Sequence, residues 1–251
     1  MSDLGHIVVS GGAKGIGKAI TETLVSKGYK VSIFSRSEVE LDERISENAK
    51  FFKSDVTDYS HLDTVVNSSI NWAGPITGLV NNVGRSEWKK LDDITVDFWN
   101  QMMAVNAGSS LFLTQAVAKA SSSLKSVVNI SSLAAKRGSA NNTVYCAGKF
   151  AMNGITQSLA KELGGQGIRV NAVCPVYVKT EGVLDALSDS VSPSGDQDIE
   201  EYFQDFASAN SALKRLPEGF EVGNTCAFLL SSESSAITGQ CINVDCGVLP
   251  Q

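Results

Sequence analysis

Long apolar runs are missing from this sequence. No stretch approaches the roughly 18 consecutive apolar residues that span a bilayer, and no basic segment followed by an apolar one opens the chain, so neither a membrane span nor a secretory leader is expected. Histidine is scarce, with 2 in 251 residues; His6 and His61 fall at a strand start and a helix start, and no Cys/His spacing resembles a zinc site. No metal is expected. The five cysteines, Cys146, Cys174, Cys226, Cys241 and Cys246, are scattered and odd in number, which argues against a disulfide framework and for reduced thiols in a cytoplasmic protein. Basic residues are in deficit too: 21 Lys and Arg against 27 Asp and Glu give a net charge of -6. Nucleic-acid binding needs the opposite footprint. The deficit is concentrated between Glu181 and Leu213, where eight carboxylates stand without one Lys or Arg. A solvated face on a surface excursion and a role in substrate choice both account for it.

Apolar residues make up 43% of the chain, enough at this length for one large core, and they recur in order. Apolar or β-branched runs at 6–10, 30–35, 50–53, 77–83, 126–131, 168–174 and 240–244 alternate with helical periodicity at 16–28, 59–73, 95–122, 144–163 and 221–232. Repeated strand–helix units predict a single doubly wound α/β domain over residues 1–251, with a parallel sheet, right-handed crossovers and helices on both faces. One long excursion, 181–220, contains Pro193, Gly195, Pro217 and a helical pattern at 199–213, and its position suggests a mobile substrate flap. Tyr202, Phe203 and Phe206 share one face of that pattern. They either close over a substrate or pack on the body of the domain.

Chemistry enters at the carboxyl ends of the strand runs. After the first run, SGGAKGIG at 10–17 places Gly11, Gly15 and Gly17 in a turn that opens a helix. Glycine there permits close backbone approach, and the uncapped N–H groups of a helix start attract a pyrophosphate. After the fifth run come Ser132, Tyr145 and Lys149. Four residues apart on a helix, the Lys149 ammonium lies on the same face as the Tyr145 phenol and favours its phenolate. Bringing a phenol from a pKa of about 10 to about 7 takes about 4 kcal/mol, more than one ion pair supplies, so a second positive group is needed. An oxidised nicotinamide ring is such a group. Taken alone, the pair also reads as a lysine stem lying over an aromatic ring.

Together these features resemble the short-chain dehydrogenase/reductase family over nearly the whole chain. The resemblance is carried by SGGAKGIG, by DV at 55–56, NNVG at 81–84, Asn106 in AVNAG, Ser132, Tyr145, Lys149, PVYVKT at 175–180 and ITGQCINVDCG near the end. It implies a Rossmann-like, seven-stranded parallel sheet, a nicotinamide dinucleotide, and hydride transfer to or from a carbonyl or alcohol carbon. By the same resemblance Tyr145 is the general acid or base, Lys149 lowers its pKa and holds the nicotinamide ribose, and Ser132 binds the substrate oxygen. Asn106 would hold a water linking Lys149 to solvent, or else satisfy local backbone groups. Cofactor contacts are implied for Gly11, Lys14, Gly15, Ile16 and Gly17, for Ser35 and Arg36 after the second strand, and for Asp55 and Val56 at the adenine. Asn82 and Gly84 would lie along the adenosine ribose, with Thr180 and the Val178 backbone at the carboxamide. Asp55 also reads as a turn-initiating residue.

The second strand ends Ser35-Arg36, where an NAD site usually places a carboxylate, and Lys14 lies in the glycine turn. Two cations facing a 2′-phosphate favour NADP(H); two solvated surface cations are the other reading. Val176, Val83, Gly148 and Cys246 depart from the family pattern. The substrate is expected to be a small ketone, aldehyde or keto-sugar-like compound, shaped by the flap and the loop from Arg85 to Leu91. A 3-oxoacyl-[acyl-carrier-protein] reductase is the alternative, for which Lys136 and Arg137 offer docking cations, and a non-catalytic cofactor-binding regulator is a further one. A homotetramer or homodimer is expected, built on helices 95–122 and 144–163 and on the C-terminal segment.

Overall fold

The computed structural model describes residues 5–37 and 43–250. Seven strands, β1 (His6–Ser10), β2 (Lys30–Ser35), β3 (Ala49–Lys53), β4 (Ile76–Asn81), β5 (Ser126–Ile130), β6 (Arg169–Pro175) and β7 (Cys241–Val244), form one sheet ordered β3-β2-β1-β4-β5-β6-β7. Every pairing is parallel. Between them run α1 (Gly15–Ser26), α2 (Glu43–Ser46), α3 (Leu62–Ala73), α4 (Val96–Met103), α5 (Ser109–Ala120), α6 (Thr143–Gly164), α7 (Glu181–Leu187), α8 (Ile199–Asn210) and α9 (Gly219–Leu230).

Alternation along each strand divides the core between two faces. Ile7 and Val9 of β1 pack with Ile20 and Leu24 of α1 and Val222 and Leu229 of α9. Val8, between them, points the other way, to Leu62 and Val66 of α3 and Leu113 and Val117 of α5. Burial on both faces is what gives parallel strands their continuous apolar runs. Each such side chain contributes about 1.5–3 kcal/mol of burial. The strand order reverses between β1 and β4, which opens a crevice at their carboxyl ends where ligands of such sheets bind.

Besides the short α2, which the sequence reading did not include, two elements near the site differ from that reading. The pattern at 95–122 is not one helix: α4 ends at Met103, a π-helical turn covers Ala104–Gly108, and α5 follows. A π turn absorbs one extra residue and re-aims its side chains, and here it turns Asn106 fully inward. The excursion at 181–220 contains α7, which its sequence pattern did not show, ahead of α8. Asp198 caps α8, accepting the N–H groups of Glu200 (2.9 Å) and Glu201 (3.1 Å). Phe203 is buried, Tyr202 and Phe206 are half-buried, and the eight carboxylates of the segment all face water. Tyr177, just past β6, anchors this face: its hydroxyl lies 3.1 Å from that of Tyr202, its ring stacks edge-on against Phe206, and the neighbouring Lys179 pairs with Glu200. Among the described residues no helix is long and apolar enough to cross a membrane.

Candidate active site

The glycine turn follows β1 and enters α1. Gly11 and Gly15 adopt left-handed backbone (φ 65° and 52°), and a β-carbon on Gly17 would stand 2.1 Å from the Gly11 carbonyl oxygen, so no other residue fits there. α1 begins after Lys14 with no side-chain cap and no acidic residue in its first turn. Its first N–H groups and its positive dipole end are therefore available to an anion, which fits a dinucleotide pyrophosphate. Asn82 braces the turn, its Nδ2 donating to the carbonyls of Ser10 and Gly11 at 3.2 Å each. Thr180, at the start of α7, packs over Gly15, and the Val178 side chain is buried beside β6. Ile16 lines the adjoining cavity.

At the other end of the crevice, Ser35 closes β2 and Arg36 projects into solvent. Asp55 accepts both the N–H (2.9 Å) and the hydroxyl (2.7 Å) of Thr57. Burial opposes its charge, yet these bonds and the nearby Arg36 guanidinium prevail and hold the carboxyl below its ordinary range. Asp55 thus builds the turn after β3, and the Val56 side chain is core. Asn81, the neighbour of Asn82, is also core: its Nδ2 donates to Asn129 Oδ1 (2.8 Å) and Thr114 Oγ1 (3.0 Å), tying β4 to β5 and α5.

Tyr145 and Lys149 sit one turn apart on α6, and Ser132 precedes them at the exit of β5. The Ser132 hydroxyl accepts the N–H of Ala134 at 3.1 Å and is near enough to the Tyr145 phenol to favour its ionised form. Lys149, 3% exposed, donates from Nζ to the Ile130 carbonyl at 2.8 Å and lies 5.8 Å from the centre of the Tyr145 ring. Burial pushes the phenol up to about 12, against which the nearby Ser132 hydroxyl works, and pushes the Lys149 ammonium down to about 8. The protein's own lysine therefore does not bring the phenol near neutrality. Gly84 faces both Lys149 and Asn106: a β-carbon there would lie 3.0 Å from Nζ and 3.1 Å from Asn106 Oδ1. The Asn106 carboxamide is engaged at both ends by the Arg85 backbone, accepting its N–H and donating to its carbonyl at 3.0 Å each.

Above Ser132 and Tyr145 opens a cavity of about 500 Å³, walled by Trp88, Val176, Tyr177 and the α8 residues Tyr202 and Phe206. Arg137 is the one charged residue among those lining it. Trp88 belongs to the 85–91 loop read from the sequence as pocket-forming, and Val176 is one of the departures from the family pattern. Sequence reasoning did not find Tyr177, Arg137 or Asn142 as cavity residues. The available signal was connectivity, since Arg137 and Asn142 lie on the short segment between Ser132 and Tyr145.

A crevice with a glycine turn and an uncapped helix start at one end and a phenol, a hydroxyl and an ammonium at the other suits a nicotinamide-dependent oxidoreductase. A family model described as enoyl-(acyl carrier protein) reductase matches residues 11–249. L-2,3-butanediol dehydrogenase of Corynebacterium glutamicum is 32% identical over 253 positions, covering 96% of this chain and 97% of that protein. L-xylulose reductase of Caenorhabditis elegans is 36% identical over 248 positions, covering 96% and 94%. The solved structure of a single-residue variant of actinorhodin polyketide ketoreductase with NADPH superposes with a TM-score of 0.89 at 28% identity, covering 97% of this chain and 96% of that one. The chain belongs to the short-chain dehydrogenase/reductase family. It is an enzyme that moves a hydride between a nicotinamide cofactor and a carbonyl or alcohol carbon.

Proposed function

We propose that the protein is an NADP(H)-dependent reductase of small ketones or aldehydes that also runs in reverse as a dehydrogenase, with Ser132, Tyr145 and Lys149 as its working residues. The observation that carries this is that the Ser132 hydroxyl and the Tyr145 phenol line one cavity, with the buried Lys149 one turn along the same helix as the phenol. When bound, the nicotinamide supplies or takes the hydride. Ser132 orients the substrate oxygen and stabilises the charge developing on it, and Tyr145 gives that oxygen its proton. Lys149 holds the nicotinamide ribose and favours the phenolate that Tyr145 becomes. An oxidised nicotinamide held beside Tyr145 would add a second positive charge favouring its phenolate, opposing the burial that raises the phenol's pKa. Asn106 is a positioning residue, fixing the loop after β4 through Arg85. The glycine turn, Ser35, the 55–56 turn, Asn82, Gly84, Val178 and Thr180 form the cofactor cradle.

Arg36 supports the choice of NADP(H). It stands beyond β2, close enough to Asp55 to act on that carboxyl, and no carboxylate takes its place at the strand end. The five free cysteines suit the cytoplasm. Residues 181–220 serve as a flap on a single catalytic domain. Exposed apolar side chains on α4 and α6, Val96, Trp99 and Phe150, suit packing against a second copy in a dimer or tetramer. The acyl-carrier-protein reading has less support, because Lys136 is turned inward to the Cys241 carbonyl at 2.7 Å and only Arg137 remains at the rim.

Purified protein supplied with NADPH or NADH and a panel of small ketones, aldehydes and keto-sugars is expected to oxidise NADPH in the presence of one or more of them. Absence of turnover across the panel with either cofactor would overturn the reading.

A further inference from the structure

The active-site cavity carries hydrogen-bond donors that no protein group accepts. Arg137, exposed at its rim, is the one charged residue lining it. Arg85, Arg169 and Arg215 each bind a carboxylate or serine oxygens through the guanidinium; among the described residues nothing takes that of Arg137. Its backbone is nevertheless fixed, because the turn that starts at Ser132 closes with the N–H groups of Lys136 (2.9 Å) and Arg137 (3.2 Å) donating to the Leu133 carbonyl. Tyr177 and Tyr202 share the lining. Their hydroxyls lie 3.1 Å apart and one donates to the other, which leaves the pair one O–H still to give. The Arg137 charge favours the ionised form of both phenols, so the guanidinium stands within electrostatic reach of the pair, and Tyr177 is within the same reach of Tyr145. No carboxylate lines the cavity to neutralise this patch. On α8, Asp198 caps the helix, Glu200 pairs with Lys179 and Asp205 accepts from Gln197 at 2.8 Å.

We propose that Arg137, helped by the Tyr177–Tyr202 hydroxyl pair, binds a carboxylate of the substrate, so that the compounds reduced here are oxo acids held with the carbonyl at Ser132 and Tyr145 and the acid group toward the cavity mouth. The proposal rests on the carbonyl reductase reading above. A patch made only of donors suits a group that only accepts, and an ionised carboxylate is such a group. The planar guanidinium offers it two parallel N–H bonds and the phenol a third. One positive charge balances a monoanion and would leave a phosphate dianion half neutralised, which favours the carboxylate over a phosphate ester. Leu133, Val176, Leu187 and Val191 line the cavity as well and suit the carbon chain between carbonyl and acid.

The test compares 4-oxopentanoate, 5-oxohexanoate and 6-oxoheptanoate with their methyl esters, as substrates and as calorimetric ligands. The titrations use protein holding NADP⁺ and, separately, NAD⁺, with which a ketone cannot be reduced. At one or more chain lengths the wild type is expected to favour the acid over its ester by about tenfold or more, in kcat/KM and in Kd. Arg137→Gln should bring that ratio down to about one, chiefly by raising KM for the acid. Arg137→Lys, which keeps the charge and loses the planar fork, should restore part of it, and Tyr202→Phe should lower it by a smaller factor. Acids bound no better than esters at every length, or a preference that survives in Arg137→Gln, overturns the proposal. So does a parallel fall on acid and ester, which is the mark of a structural role. Failure of every ketone to turn over would count against the reductase reading, while the calorimetric arm still decides the role of Arg137.

Discussion

Gly148 lies directly against Asn106: a β-carbon built on the glycine would stand 2.8 Å from Asn106 Cβ. At this point α6 and the π turn of 104–108 meet at backbone distance, one residue before Lys149. The departure from the family pattern at 148 is thereby tied to the placement of Asn106. Gly148→Ala would gain about 1 kcal/mol of helix propensity and lose about 1–3 kcal/mol to overpacking. A lower melting temperature and a lower kcat are expected. A variant melting above the parent would show that the two segments separate at no cost.

Tyr145→Phe removes the transferable proton and little else. Turnover should fall by about 10² to 10⁴, with NADPH affinity within about threefold of the parent. Stopped-flow hydride transfer and a fluorescence titration of NADPH measure the two, and a variant keeping more than about a tenth of its kcat would take Tyr145 out of the proton-transfer step.

Lys149 makes stability depend on pH in a definite direction. Its folded pKa, about 8, is below the ordinary 10.5, so below pH 8 the buried charge weighs on the fold in full. Between those values the unfolded chain holds a proton that the folded one has released, and stability rises with pH. Tyr145, raised from 10.0 to about 12, works the other way, but only above pH 10. Lys149→Met lacks the lysine effect, so between pH 7.5 and 10 the wild type should gain about 1–3 kcal/mol on the variant. Urea unfolding at the two pH values measures this, and a constant difference would contradict the assignment.

Arg36→Asp should weaken NADPH and improve NADH, through lost attraction to a 2′-phosphate and new repulsion of it. Lys14→Ala should weaken NADPH alone. Equal NADPH affinity in Arg36→Asp and parent would remove Arg36 from cofactor choice.

On α8 the aromatic residues separate by burial. Phe203 is 6% exposed, so Phe203→Ala is expected to cost about 3–5 kcal/mol of stability. Phe206 lines the cavity, and Phe206→Ala should raise KM while leaving the melting temperature nearer that of the parent. If the two variants show the same balance of stability and kinetics, α8 does not divide into a core side and a substrate side.

All seven strands were legible as apolar or β-branched runs, the inner ones because they are buried on both faces, and the partly exposed edges β3 and β7 through Phe51 and Phe52 and through Ile242 and Val244. The interruption at 104–108 was not legible: one inserted residue barely changes a 3.6-residue periodicity, yet it decides where Asn106 points. α7 was hidden because its two turns, with Gly182 near the start, are too short for the spacing of Val183 and Leu187 to stand out as a helical stripe. Ser132, Tyr145 and Lys149 stood out because reactive residue types sit at helical or strand-end spacing. Of the aromatic side chains around them, Phe206 and the loop that holds Trp88 were read as shaping the pocket, but Tyr177 was not, since it joins them from a separate segment just past β6. Asn81 and Asn82 are identical in sequence type, and only the alternation at the end of β4 sends one into the core and the other to the glycine turn.

The pairing of α1 with α9 across the same sheet face sets an order of events during synthesis. About 200 residues separate the two helices, so at about 5–20 residues per second α1 waits at least some ten seconds on the ribosome for its neighbour. Through that interval Ile20 and Leu24 lack the cover later given by Val222 and Leu229. Nascent chains stalled before α9 should accordingly be bound by chaperones that recognise apolar surface, and release should coincide with the arrival of the last helix.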